Sequence, residues 1–166
     1  MSDVPTCGCC SPPAHPTEKG ACPTCGNLGR PVQPATLRAL LQSNVREQVR
    51  EEPYWFCGST ACPVVYFLPG TGQVFLREEL TVRVGMKETI APRPICYCFG
   101  HTVESLREEW LRTGTTGAVQ EIQAAVKAGS CRCEVSNPHG GCCLGDVLKA
   151  LKEIQDPACL PRSPGA

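Results

Sequence analysis

Cysteine is the residue type that could do chemistry in this chain, because its 14 thiols are gathered into a few short stretches. Two tight pairs stand first, Cys22-Pro-Thr-Cys25 and Cys57-Gly-Ser-Thr-Ala-Cys62. Short loops of this kind let backbone amides turn toward the sulfurs, and four thiolates around a tetrahedral ion are the closed geometry of structural zinc. These four cysteines predict a zinc site, with an oxidised disulfide pair or unbound core thiols as the alternatives.

A second group of thiols lies in the other half of the chain. Cys96-Tyr-Cys98 precedes one predicted helix, and Cys133 with Cys142-Cys143 leads into another. Helix N-termini stabilise anions, so thiolates collected there favour a negatively charged group. A [2Fe-2S] cluster held by four thiolates is such a group. A zinc site would not require its thiolates to lie at helix N-termini. We therefore predict an iron-sulfur site in the stretch that contains CRCEVSNPHGGCC.

Composition limits the classes of protein that fit. The 166 residues carry 16 basic and 16 acidic side chains, so a broad electrostatic hold on nucleic acid is not expected. MSDVPTCGCC lacks the basic and apolar regions of a secretion signal, and no run is long enough to span a membrane. We expect a cytoplasmic protein, where clustered thiols bind metals more often than each other.

The elements that position the first group form a small helix-plus-sheet unit. PATLRALLQSNVREQVR, from residue 34, predicts one helix capped by Thr36. YWFC, PVVYFLP and QVFLREEL predict strands, the last two joined as a hairpin at Pro69-Gly70-Thr71-Gly72, and TVRV at 81–84 suggests a further strand. The apolar stripe of the helix is Leu37, Leu40, Leu41, Val45 and Val49.

The elements around the second group are helical. Thr102 and Gly114 bracket the first helix and Gly129 ends the second, while Asp156-Pro157 closes the third. The predicted apolar stripes are Val103, Leu106 and Trp110; Val119, Ile122 and Val126; and Leu144, Val147, Leu148, Leu151 and Ile154. The fold class is thus α+β. The predicted divisions are a flexible cysteine-containing tail at 1–20, a zinc module at 21–86, a connector at 87–95, a helical [2Fe-2S] module at 96–155 and a disordered tail at 156–166.

Two resemblances follow from these motifs. Residues 96–155 resemble the [2Fe-2S] domain of bacterioferritin-associated ferredoxin, which places Cys-x-Cys ahead of a helix and two further cysteines ahead of a final helix. More closely, YWFCGSTACPVVYF, ICYCFG and CEVSNPHGGCCLGD resemble the N-terminal domain of the archaeal-type copper chaperone CopZ, over about residues 20–155. This family joins a zinc module to a [2Fe-2S] module.

The resemblance implies a ligand set for each metal group. Zinc would take Cys22, Cys25, Cys57 and Cys62, and the cluster would take Cys96, Cys98, Cys133 and Cys143. Two neighbouring thiols leave an alternative open, because Cys131 also satisfies the simpler ferredoxin spacing and Cys142 adjoins Cys143. The Asn137-Pro138 turn and its flanks favour Cys133 and Cys143, with Cys131 and Cys142 as ordinary buried thiols or alternate ligands during assembly.

The resemblance also shapes the expected function. The copper-carrying βαββαβ domain of the complete chaperone, with its Cys-x-x-Cys loop after Gly-Met, has no counterpart in this sequence. We therefore expect single-electron transfer in copper or other soft-metal homeostasis with a redox partner protein, including reduction of Cu(II) to Cu(I), rather than copper delivery or a conventional enzyme. The alternatives are a soft-metal scavenger and a redox-sensing interaction module.

The remaining candidates are a thiol-rich tail and the histidines. Cys7, Cys9 and Cys10 with His15 suit a soft cation such as Cu(I), and an idle tail is the equal alternative. His101 is predicted to be a surface or capping residue, with tuning or ligation of the cluster as the alternative. The remaining predictions are a solvated His139, a free Cys159 thiol, and local packing of Tyr97, Phe99 and Trp110 around the cluster pocket.

Overall fold

The computed structural model describes residues 20–156. Its first part, here called the sheet half (residues 20–87), carries a four-stranded antiparallel sheet in the order β1-β2-β3-β4. The strands are β1 (Arg30–Val32), β2 (Tyr54–Phe56), β3 (Val64–Phe67) and β4 (Val74–Leu76). The predicted hairpin joins β3 to β4, with Gly70 and Gly72 at positive φ in its turn. Strand β1 was not predicted, because it is only three residues long and contains Pro31.

The predicted single helix of the sheet half is two short helices, α1 (Pro34–Leu40) and α2 (Ser43–Arg46). Leu41 leaves the helix and forms an isolated bridge with Leu80, which breaks the continuity that periodicity suggested. The prediction of Thr36 as the cap is also wrong, because Gln33 occupies that position. The apolar stripe itself is confirmed, since all five of its members are buried.

The predicted strand at 81–84 is absent from the described structure. Val84 is buried in the core, and the chain then forms a 3-10 helix, Gly85–Lys87, after an earlier one at Arg77–Glu79. Gly85 allows a close crossing, since a Cβ at this position would lie 1.6 Å from the carbonyl oxygen of Pro94. This crossing holds the end of the sheet half against the start of the next unit.

The second part, here called the helical half (residues 94–156), begins with the short hairpin β5 (Pro94–Cys96) and β6 (His101–Thr102). It continues with α3 (Val103–Thr113), α4 (Ala118–Lys127), α5 (Cys133–Ser136) and α6 (Leu144–Gln155). The Thr102 side chain accepts the Ser105 amide, and Gly114 ends α3 in the left-handed conformation, so both predicted boundaries are confirmed.

The two halves have separate apolar cores. One face of the sheet packs on α1 and α2, while the other face carries Trp55 and Phe67 beside Cys22, Cys57 and Cys62. The helical core gathers Leu106, Ile122, Val147 and Leu151 around Cys96, Cys133 and Cys143. Leu148 departs from its predicted stripe and is 41% exposed. Within residues 20–156 no helix is both long and apolar enough to cross a membrane.

Candidate metal centres

The four cysteines of the predicted zinc site lie together, three of them packed against the sheet face that carries Trp55 and Phe67. The Sγ atoms of Cys22, Cys25, Cys57 and Cys62 are all within 4.8 Å of one another. The Cys22–Cys62 separation is 3.9 Å and the Cys25–Cys57 separation is 3.6 Å. With Zn–S bonds of about 2.3 Å, the edge of a tetrahedron of sulfurs is about 3.8 Å. The donor set and its spacing therefore fit one tetrahedral ion.

The loops carrying these thiols turn backbone amides onto the sulfurs. An amide hydrogen bond from Asn27 is the main cause that lowers the pKa of Cys25 to about 7. Burial raises the pKa of Cys57 to about 12, and it raises the pKa of Cys62 as well, while amides of Ser59 and Val64 oppose these two shifts. In each case the amide belongs to the residue two positions after the cysteine. This repeated loop geometry favours thiolate ligands and supports a metal in the centre.

Lys87 is a residue of this site that the sequence analysis missed, because it was assigned to the connector. Its side chain is buried, and its ammonium donates to the carbonyl oxygens of Ser59 and Cys62 at 2.7 and 2.9 Å. Burial lowers the pKa of Lys87, and the nearby thiolates of Cys57 and Cys62 oppose that shift. A lone lysine at the end of a strand-like run carries no sequence signal for such a position.

The second group of cysteines is arranged as a row of contacts, in which Cys143 also bonds Cys133. The Cys96 and Cys143 sulfurs are 3.1 Å apart, and the Cys98 and Cys133 sulfurs are 3.8 Å apart. Cys96 ends β5, Cys133 begins α5 and Cys143 is the N-cap of α6, while Cys98 lies in the turn before β6. As predicted, Cys96 and Cys98 precede a helix, with the two-residue strand β6 between them and α3.

Hydrogen bonding in this group favours thiolates. The Cys143 thiol donates to Cys96, and its hydrogen bonds are the main cause that lowers the pKa of Cys96 to about 6 and that of Cys133 to about 5. The same contacts raise the pKa of Cys143. Burial raises the pKa of Cys98, although the Arg132 amide donates to its sulfur at 3.4 Å. The hydrogen bonds therefore favour the thiolate form at Cys96 and Cys133.

The two neighbouring thiols flank this group. Cys131 and Cys142 are half-buried, whereas Cys96 and Cys143 are fully buried. Burial and the surrounding sulfurs raise the pKa of Cys131 to about 12, which favours a neutral thiol at that position. Phe99 and Trp110 pack against the same core, as predicted, whereas the Tyr97 hydroxyl bonds the Gly85 amide and the Arg83 carbonyl of the sheet half.

The prediction of a solvated His139 is wrong, because its side chain is buried between the two halves. Nδ1 accepts the Gly141 amide at 3.1 Å, so Nε2 carries the proton and donates to the Asp146 carboxylate at 2.7 Å. The ring stands edge-on to Phe56, with 6.2 Å between the centroids. Since Phe56 directly precedes Cys57, His139 links the two cysteine-bearing regions, and no sequence signal indicated that role.

Of the other predicted candidates, His101 lies within the described residues and the tail residues do not. His101 is half-buried and pairs with Glu121 at 2.7 Å, in keeping with a surface role. Cys7, Cys9, Cys10, His15 and Cys159 lie outside the residues that the structure describes.

Comparisons with known proteins agree with the geometry of the sheet half. A family model described as a zinc-binding domain of the CopZ type matches residues 19–81. The copper chaperone CopZ of Archaeoglobus fulgidus is 38% identical, and the match covers 81% of this chain and 68% of that protein. The X-ray structure of the N-terminal domain of A. fulgidus CopZ superposes with a TM-score of 0.66 at 34% identity, covering 78% of this chain and 96% of the solved one.

Proposed function

Because the chain belongs to the CopZ family, we propose that it is a zinc- and [2Fe-2S]-binding protein that passes single electrons in copper or other soft-metal homeostasis. The observation that carries this proposal is the contrast between the two cysteine groups. One brings all four sulfurs within 4.8 Å of one another, whereas the other is an open row in which Cys143 contacts Cys96 and Cys133, and Cys98 contacts Cys133. A mononuclear ion fits the first arrangement and a binuclear cluster fits the second.

Zinc has a structural role in this proposal. Cys22, Cys25, Cys57 and Cys62 fill all four positions of a tetrahedral ion, so no open position remains for a substrate. Three of these thiols are buried beside Trp55 and Phe67, where the ion holds the loops onto the sheet.

In the helical half we propose Cys96, Cys98, Cys133 and Cys143 as the cluster ligands. Cys133 and Cys143 are favoured over Cys131 and Cys142, because they supply the sulfur contacts at 3.8 and 3.1 Å to the Cys-x-Cys pair. A bound [2Fe-2S] cluster supplies one-electron chemistry at a potential set by its hydrogen bonds and exposure. The protein's part is to hold the four thiolates and to shield Cys96 and Cys143 from water.

Electrons would enter and leave on the side of Cys98. Its side chain is half-buried, as is that of Cys131, whereas the opposite pair is fully buried. A cluster held by Cys96, Cys98, Cys133 and Cys143 would supply one-electron chemistry, in which one electron from a donor protein would reduce Cu(II) to Cu(I). Copper is the substrate in this step, so neither group of four cysteines needs to hold it.

Metal analysis of anaerobically purified protein tests the proposal. We expect about one zinc per chain, with about two irons and two acid-labile sulfides and the paramagnetic resonance of a reduced [2Fe-2S] centre. After reduction, mixing with Cu(II) and a Cu(I)-specific chelator should yield about one Cu(I) per cluster, since the centre carries one electron. Protein that binds zinc but neither iron nor sulfide would overturn the electron-transfer proposal.

Matched variants test the ligand assignment. Cys133→Ser and Cys143→Ser should abolish or strongly alter the cluster spectrum, whereas Cys131→Ser and Cys142→Ser should leave it unchanged. Each pair compares neighbouring thiols of the same loop, so a general loss of folding would affect both members. The reverse pattern would move the ligand role to Cys131 and Cys142.

A further inference from the structure

Lys87 is a buried cation in the part of the chain that the structure describes, and no carboxylate pairs with it there. Its side chain is 1% exposed, and the ion pairs found within residues 20–156 do not include it. Its polar contacts are the carbonyl oxygens of Ser59 and Cys62, at 2.7 and 2.9 Å. A buried ammonium ion is costly unless a negative charge lies close to it.

The negative charge near Lys87 is that of the cysteine sulfurs. The Cys57, Cys62 and Cys25 sulfurs favour a charged ammonium at this position, whereas Arg77 opposes it, and with zinc bound these sulfurs would be thiolates. A divalent zinc ion with four thiolates carries a net charge of about −2, which is itself unfavourable in a buried site. The positive ammonium of Lys87 and the negative zinc-tetrathiolate group would therefore each reduce the cost of burying the other.

We propose that Lys87 is the counter-ion and a positioning residue of the zinc centre, an inference that rests on the proposed zinc ligands. Its ammonium offsets part of the negative charge of the tetrathiolate. Its two hydrogen bonds also fix the Cys57–Cys62 loop, because both acceptors belong to that loop. Lys87 thereby slows the loss of metal without touching it.

The position of Lys87 in the chain makes this role specific. It ends the 3-10 helix Gly85–Lys87, and that helix is anchored at its other end by the Tyr97 hydroxyl, which accepts the Gly85 amide at 2.9 Å. Arg77 also donates to the Lys87 carbonyl at 3.3 Å. These bonds hold the backbone of Gly85 and Lys87 in place, so the Lys87 side chain reaches the Cys57–Cys62 loop from a fixed position.

Zinc release from variants of Lys87 separates charge from hydrogen bonding. Lys87→Met removes both, Lys87→Gln keeps a donor without the charge, and Lys87→Arg keeps the charge. Lys152→Met, on the exposed face of α6, is the matched control. Each full-length protein is loaded with zinc, and release to a colorimetric chelator is timed. Substitution of residues that support metal ligands commonly changes metal affinity by about 10–100-fold.

We expect Lys87→Met and Lys87→Gln to bind zinc but to release it about 10–100-fold faster, with Lys87→Arg and Lys152→Met close to the unsubstituted protein. The cobalt-substituted variants should keep the thiolate charge-transfer bands of a four-sulfur site, which shows that the ligands are intact. Equal release rates for all variants would overturn the proposal. Slow release from Lys87→Gln, or fast release from Lys87→Arg, would overturn the counter-ion role.

A failure of the zinc site itself has a different signature. If the unsubstituted protein bound neither zinc nor cobalt, the proposed zinc ligands would be wrong, and the role of Lys87 would fall with them. If Lys87→Met did not fold, Lys87→Gln and Lys87→Arg would still decide the matter, because they differ in charge while both keep a polar end group.

Discussion

The sheet half and the helical half hold their cysteines in different ways. In the sheet half, four sulfurs lie within 4.8 Å of one another, and three of them are reached by amides two residues further along the chain. In the helical half, the sulfurs form an open row with contacts at 3.1 and 3.8 Å at its ends, inside a core built by α3, α4 and α6. The first arrangement organises short strands around an ion, whereas the second adds thiols to a helical core that has apolar packing of its own.

This difference predicts that the two halves depend unequally on metal. The strands of the sheet half are only three or four residues long, and one of its cores contains Cys22, Cys57 and Cys62 themselves. Small domains of this kind commonly require a structural metal. The helical half has two helices of ten or more residues packed on α6, so it has less need of one.

Loss of zinc should therefore have the largest effect. We expect Cys57→Ser to abolish zinc binding and to unfold β2 and β3, because structural zinc contributes about 10 kcal/mol or more in small domains. That is comparable with the whole stability of a domain, about 5–15 kcal/mol. Hydrogen exchange followed by mass spectrometry should show loss of protection in the strands but not in α3 and α6.

Cys131→Ser provides the control for this prediction, since it removes a thiol outside the four-sulfur group. Strands that stay protected in zinc-free Cys57→Ser protein would contradict the dependence of the sheet half on metal. Equal loss of protection in both halves would show instead that they unfold as one unit.

Apolar packing should dominate in the helical half. Leu106 is 1% exposed in its core, and Leu106→Ala is expected to cost about 3 kcal/mol, because it removes buried methyl groups and leaves a cavity. Leu111 is 58% exposed on the same helix, so Leu111→Ala should change the free energy of unfolding by less than about 0.5 kcal/mol. Urea denaturation followed by far-ultraviolet circular dichroism measures both. A small effect of Leu106→Ala would indicate that the thiols, rather than the apolar core, hold this half.

The contact between the halves should contribute less to the free energy of unfolding than either apolar core does. His139→Ala removes the ring contact with Phe56 and the 3.3 Å contact with Arg30 of the sheet half. It also leaves the Gly141 amide and the Asp146 carboxylate of the helical half without their buried partner, and the total cost should be about 2 kcal/mol. His101→Ala removes a more exposed pair with Glu121 and should cost less than about 1 kcal/mol. Denaturation of the two variants under the same conditions gives the comparison. A larger effect for His101 would mean that His139 is not a structural link.

Local rules predicted the parts of the fold that depend on neighbouring residues. The caps at Thr102 and Gly114 and the turn with Gly70 and Gly72 follow from hydrogen bonding and backbone freedom within a few residues, and the structure contains them. The sequence also predicted which cysteines of the sheet half lie together, because a short loop between two cysteines limits the directions in which their thiols can point.

Long-range contacts account for what the sequence could not predict. Thr36 is a residue type that often caps helices, but its hydroxyl donates to the Glu134 carbonyl in the helical half, at 2.6 Å. Leu41 left its predicted helix for a bridge with Leu80. Lys87 and His139 looked like connector and turn residues, and their burial depends on elements far away in the chain. No local pattern encodes such partners.

The smallest predicted effect concerns one hydrogen bond between the halves. The buried Tyr66 hydroxyl donates to the Pro138 carbonyl at 2.8 Å, and Pro138 lies in the loop that leads to Cys143. Tyr66→Phe keeps the ring and removes this bond, so it should cost about 1 kcal/mol. Tyr54→Phe is the matched control, because the Tyr54 hydroxyl donates to Gln73 inside the sheet half.

The two tyrosine variants should differ in where they act. Tyr66→Phe should speed hydrogen exchange in residues 137–143, since the loop loses an anchor on the sheet, whereas Tyr54→Phe should affect only the sheet half. Unchanged exchange in that loop would show that the loop is held by the helical half alone. In that case the conformation around Cys143 would be independent of the zinc-bearing half, and the contrast between the two halves would extend to their folding.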